Sequence, residues 1–358
     1  MKRRLPAFTV AELLVAMTIT IILLALLVQM LGTTQQTWQR TKSQAAAFRD
    51  ARAAFESVTR QLSQATLNNY WDYNDPNNPT FYQRQSELHY VSGPLTKLLS
   101  APADPAAGHG VFFQAPLGLD HLDPATSPGA GLDRALNGWG YFVQYNSDLP
   151  ERPGFMSEAS AIHPEKKRFR LMEFRLPTES FDLFKLPANA KAGTRPKLHA
   201  ATSETDLYSW FRAALPSKSE AIAENILALV VRPTFPAQAS APDGYYYDTR
   251  GFQLAGGSIN TDDAARRHQL PPAVRVALVA LDEGAWQRLE NADETATALV
   301  QAVNQDYFKN PADLDDDLRE LSAELTALKL DHRIFSTTVP IRAAKWHSEK
   351  QMTTPTTP

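Results

Sequence analysis

Cysteine is absent from all 358 residues, which excludes disulfides, thiolate metal sites and cysteine nucleophiles. Glycine is sparse beside proline, 16 against 25, a balance that suits loops and short strands better than a helical bundle. Strong charge of either sign is missing too. The formal net charge is -3 and the pI about 6.3, so the whole chain carries no electrostatic footprint for nucleic acid. No G-x-S-x-G, H-E-x-x-H, P-loop or G-x-G-x-x-G occurs, and none of the eight histidines pairs with another at i, i+4. The reading is therefore non-enzymatic and without a cofactor. Apolar content of 43% and charged content of 21% are those of a folded protein, long enough for one large domain or two small ones.

Against these absences stands one long apolar run. Leu13 to Leu31 reads LLVAMTITIILLALLVQML, with only Thr18, Thr20 and Gln29 as polar interruptions. As a helix it spans roughly 28 Å, close to a bilayer core of about 30 Å. Lys2, Arg3 and Arg4 precede it, so the N-terminal tail is expected in the cytoplasm and the rest on the far side of a single-pass span. A cleaved signal peptide would have a shorter apolar region and a small-x-small site, which the following LGTTQQTWQ does not offer. A plain anchor leaves Glu12 unexplained, because an acid at the mouth of a membrane segment is costly unless paired.

The stretch Pro6-Ala7-Phe8-Thr9-Val10-Ala11-Glu12-Leu13-Leu14 resembles the leader region of the type IV pilin and pseudopilin superfamily. That resemblance implies cutting by a prepilin peptidase between Ala7 and Phe8 on the cytoplasmic side, with Phe8 then N-methylated. Ala7 departs from the glycine usual there. The resemblance also implies that Glu12 serves assembly, pairing with the new amine of Phe8 in its own or a neighbouring subunit.

The helical pattern continues beyond the apolar run. Trp38, Thr41, Ala45, Phe48, Arg52, Phe55, Thr59 and Leu62 follow a three-four spacing, widened by Val58 and Ala65. One helix from about Glu12 to Leu67 would run roughly 80 Å, its Trp and Phe stripe packing on a sheet. Asn68 to Pro79 reads as turns. Strands are expected at 87–91, 111–114, 140–145, 168–176, 226–232, 273–281 and 334–342, and helices at 206–215, 283–291 and 313–330. The fold class is α+β, a pilin-like lollipop whose long N-terminal helix packs on an antiparallel body with loop and helix insertions. The expected divisions are a leader (1–7), a transmembrane segment (8–31), its amphipathic continuation (32–68), an exported body (69–345) and a flexible tail (346–358).

A second resemblance is dispersed through the body. Glu224 to Pro233 followed by Leu270 to Leu278 is similar to J-type minor pseudopilins of type II secretion. Trp139 to Val143, Arg170 to Phe174, Val279 to Glu283 and Arg333 to Val339 resemble protein C of the Verru_Chthon cassette. Together these imply a minor subunit in a bacterial inner membrane, joining a secretion or pilus-like fibre or its tip. Prepilin peptidase and other pilin-like subunits would be its partners. The alternative is an anchored binding module, an adhesin or DNA-uptake subunit, and after that an anchored enzyme.

Local chemistry adds little. Asp72 and Asp75 are weak Ca²⁺ candidates in a segment that lacks an EF-hand's glycine and terminal glutamate. Asp313, Asp315, Asp316 and Asp317 suit the first turn of a helix without a metal. His109, His121, His163 and His199 read as solvated loop residues. Lys166-Lys167-Arg168 reads as a solvated strand edge, and the Tyr245-Tyr246-Tyr247 run as packing rather than as a sticky surface.

Overall fold

The computed structural model describes residues 9–73, 80–99, 106–123, 125–126, 130–149, 152–156, 158, 162–181, 204–236, 244–251, 266–290, 293–346 and 352–353. Helix α1 covers Val10–Leu62. The chain divides into two compact units, Met1–Ala46 and Ala47–Pro358.

The first unit carries the apolar part of α1. Val10–Gly32 is long and apolar enough to cross a membrane, and none of it is buried. Its threonines are satisfied internally. Thr18 donates to the Val15 carbonyl (2.8 Å) and Thr20 to that of Ala16 (2.8 Å), so neither hydroxyl needs water. Trp38, expected on the packing stripe, is 72% exposed.

The second unit is an α+β body. Among the described side chains the packing stripe is seen from the half-buried Phe48 through Ala51, Phe55, Val58, Leu62 and Ala65, while the side chains of Thr41 and Ala45 lie outside the described set. Steps of three and four put these on one side of α1, while Arg52 and Glu56 pair outside at 2.9 Å. The helix ends five residues short of the expected Leu67. There the backbone turns to the sheet: Thr66 N–H donates to the Gln114 carbonyl (2.9 Å) and Arg342 N–H to that of Ser63 (3.0 Å).

Strands β1 (Tyr70–Tyr73) and β2 (Phe81–Gln85) form a hairpin where turns were expected, with β12 (Met352–Thr353) beside β2. The cross-strand pairs Tyr73–Tyr82 and Trp71–Arg84 outweigh the Asn and Asp signals there. The large sheet is built from β3 (Val91–Pro94), β4 (Ala106–Pro116), β5 (Leu136–Ser147), β6 (Lys167–Leu176) and β7 (Ser219–Glu224). It is completed by β8 (Ile226–Thr234), β9 (Tyr247–Asp248), β10 (Ala273–Leu281) and β11 (His332–Pro340). Its order is β11-β10-β8-β4-β5-β6-β7, with β3 on β4 and β9 on β3. Among the described residues pairing is antiparallel except at one parallel bridge, Gly108 to Leu229, between β4 and β8. Gly108 has φ +73°, and a Cβ there would lie 2.6 Å from the Leu229 carbonyl oxygen, so the bridge requires glycine.

Alternation along the strands fills two cores. Trp139, Tyr141, Val143, Phe169 and Leu171 join α1 in the larger one. Phe112, Phe142, Met172 and Phe174 enter the other, under α2 (Leu95–Leu98) and α3 (Glu204–Arg212). Phe112 and Phe211 stack at 4.2 Å there. The short α4 (Leu215–Lys218) leads into β7. Helices α5 (Glu283–Glu290), α6 (Asp293–Gln305) and α7 (Leu314–Ala327) follow β10. Leu314, Leu318, Leu321 and Leu325, at steps of four, three and four, are buried, whereas Leu328, expected in the same register, is 42% exposed.

Candidate functional site

Residues 9–12 read Thr-Val-Ala-Glu, the spacing of a capping box. The Thr9 N–H donates to Glu12 Oε2 (2.9 Å), and the Thr9 hydroxyl donates to the same oxygen (3.0 Å). The Glu12 N–H donates back to Thr9 Oγ1 (3.3 Å). The acid that needed a partner therefore has one four residues into the described chain. This satisfies helix N-terminal N–H groups next to an apolar stretch, where leaving them unpaired is costly. The T-x-x-E signal was present in the sequence, but the expectation of a membrane ion pair passed over it. Ala7 and Phe8, the expected cut, lie outside the described residues.

Of the weak Ca²⁺ candidates, Asp72 is half-buried on β1, with its Oδ1 accepting the Tyr73 N–H (2.8 Å), and Asp75 lies outside the described residues. Among the described residues no group of three or more His, Cys, Asp or Glu side chains is placed to hold a metal. The acids at α7 each have a protein partner. Arg275 bonds Asp315 with both guanidinium nitrogens and holds that carboxyl below the usual carboxylate range. Arg319 pairs with Asp316, Asp317 accepts the Phe308 N–H (2.9 Å), and Asp313 accepts from the Asn310 amide (2.9 Å). Burial pushes the Asp317 carboxyl up.

Two buried polar clusters had no sequence signal, because their members are far apart in the chain. In the first, Glu173 Oε1 accepts from the Trp139 indole N–H (3.0 Å) and the Tyr141 hydroxyl (2.7 Å), and Ser57 of α1 bonds that hydroxyl. In the second, His89 Nε2 meets Asp248 Oδ1 at 2.7 Å, both side chains buried. The Trp210 indole N–H donates to His89 Nδ1 (3.2 Å), and Tyr208 and Tyr246 donate to Asp248 Oδ2 (2.7 and 3.0 Å). An indole only donates, so Nδ1 is the acceptor and Nε2 carries the hydrogen toward Asp248. Burial raises the Asp248 carboxyl, but the bonds from His89, Tyr208 and the Arg250 N–H outweigh it and hold it below the carboxylate range. The arrangement ties α3 and β9 to the segment before β3.

The remaining singled-out residues divide cleanly. His109 is buried rather than solvated, accepting the Val231 N–H on Nδ1 (3.1 Å). His121 is exposed beside Glu179 (3.7 Å), and His199 lies outside the described residues. Arg168 is engaged by Glu224 and Glu283 at 2.9 and 3.0 Å, which neutralises the basic run it closes. Tyr245 and Tyr247 are buried, as packing requires. The aromatic surface lies instead on the β1–β2 hairpin. Trp71, Tyr73 and Tyr82 are 45%, 41% and 41% exposed. Arg84 lies over the Trp71 ring at 5.5 Å, and the Tyr73 and Tyr82 rings stack at 4.6 Å.

No family model matches this chain, and neither does any curated protein or solved structure.

Proposed function

We propose that this chain is a membrane-anchored, pilin-like minor subunit that assembles with other pilin-like subunits through α1. The observation that carries the reading is one helix serving two environments. Val10–Gly32 is apolar and uncovered, whereas Ala51 to Leu62 lines the core of an α+β body. A helix that only anchored would have no need of the second part, and a core helix would have no use for the first. The lollipop form, cytoplasmic N-terminus and exported body belong to the same proposal, as does placement in a secretion or pilus-like fibre. Cutting between Ala7 and Phe8 would create an amine one residue from Thr9. Glu12 could then exchange its capping-box bonds for a charged partner in a neighbouring subunit, gaining a stronger, charge-assisted contact.

The test is mass spectrometry of the mature N-terminus from native membranes. A chain starting at N-methylated Phe8 supports the reading; an intact Met1, or a cut beyond Leu31, sinks it.

A second reading, the anchored binding module, is favoured by the exposed Trp71, Tyr73 and Tyr82 ladder, since aromatics are enriched where proteins meet partners. Trp71→Ala with Tyr82→Ala would then abolish cell-surface adhesion while leaving fibre assembly intact. Unchanged adhesion would remove this reading.

A further inference from the structure

Between Leu31 and Phe48 the sequence holds one large apolar side chain, Trp38, in an otherwise polar and small-residue stretch. It belongs to α1 and stands 72% exposed, with no described residue covering it. Burying an indole in a core would repay its size, and leaving it in water would not. Its position along the helix gives a reason. Trp38 follows the end of the apolar span, Gly32, by six residues, or about 9 Å of helix. Long helical side chains lean toward the N-terminus and cover the preceding turn, which brings the indole back to roughly 6–7 Å beyond the span. The headgroup layer on each side of a bilayer is about 5–7 Å deep. An amphipathic ring with one N–H is stable in that layer, its flat face against acyl chains and its N–H toward water and phosphate oxygens.

We infer that Trp38 is an interfacial anchor that seats in the lipid headgroups and fixes how far α1 rises from the membrane. The occupant of its exposed face is lipid, continuous with the lipid-facing surface of Val10–Gly32. The inference rests on the membrane reading of that span. A second function follows from it: the anchor sets the height at which α1 presents its residues to neighbouring subunits.

The test uses the full chain reconstituted in phosphatidylcholine vesicles. Subtracting the emission of a Trp38→Phe variant from that of wild type isolates this indole from the other five tryptophans. Lipids brominated high on the acyl chain are expected to quench the difference signal about twofold, and lipids brominated near the methyl end much less. The inference is overturned if a chain that resists alkaline extraction shows a difference signal indifferent to bromine and quenched by aqueous iodide. Cross-linking of Trp38 to a neighbouring helix without lipid quenching would overturn it equally. If the wild-type chain is washed from vesicles by alkaline carbonate, the anchoring reading fails and this inference falls with it.

Discussion

Val10–Gly32 and Ala51–Leu62 are two stretches of one helix that answer to different solvents. The first is apolar on every side and turns its few hydroxyls onto its own backbone. The second alternates sides, with Ala51, Phe55, Val58 and Leu62 inward and Arg52 and Glu56 outward. Helical geometry is common to both, so the side-chain pattern alone says what surrounds each. Beyond the capping Glu12, a charge is therefore an error in different places: anywhere around the first stretch, but only on one side of the second.

The sharpest way to break this comparison is to place a charge in each stretch. Val58 is fully buried, so Val58→Asp should cost more than about 4 kcal/mol and abolish the folded body. Limited trypsin digestion of the purified full chain would show it. Leu23→Arg should instead weaken membrane insertion by about 3 kcal/mol while the body keeps its protease resistance. If Leu23→Arg unfolded the body, or Val58→Asp left it intact, the division of labour would be wrong.

Acid should then separate the two stretches further, because His109, a buried histidine, lies in the body. Burial pushes the His109 imidazole down to about 4 from 6.5, so the unfolded chain takes up the proton first. Stability from this residue is present above pH 6.5, declines as the pH falls, and levels off below about 4, a loss of about 3 kcal/mol. Urea titrations across that range would measure the slope, which His109→Phe should flatten. An unchanged slope in the variant would assign the acid response elsewhere. The smallest effect belongs to the helix start. Thr9→Ala removes the hydroxyl from the capping box and should lower helix stability by about 1 kcal/mol, read as faster amide exchange at residues 10–12. Equal exchange rates would mean that the Thr9 hydroxyl contributes nothing to the cap.

Much of the body was legible because its strands alternate and its leucines repeat. RFRLMEFRL became β6, AVRVALVAL became β10, and the leucines of α7 are buried in register. What escaped has physical causes. The β1–β2 hairpin was hidden by turn-forming Asn and Asp, and β7 (SEAIAE) by its two glutamates. Trp38 satisfied the helical spacing yet is 72% exposed, because periodicity cannot tell which partner a face meets. Of the candidate site, Glu12 was visible as an anomaly, and its local partner was visible as T-x-x-E but outweighed. The His89–Asp248 tie spans 159 positions, a distance at which spacing carries no information.

The single parallel bridge at Gly108 has a consequence for how the body forms. The sheet consists of two antiparallel ribbons, β4-β5-β6-β7 and β8-β10-β11, joined where β4 meets a strand begun more than a hundred residues later. Helix α1 lies across both, reaching β5 through Ser57 and Tyr141 and β11 through Phe55 and Phe335 at 5.9 Å. Each ribbon can zip locally during synthesis, but the seam waits for β8, more than a hundred residues after β4, so its closure is the slow, high-contact-order step. A helix made first thus becomes the surface on which the late half of the chain finds the early one.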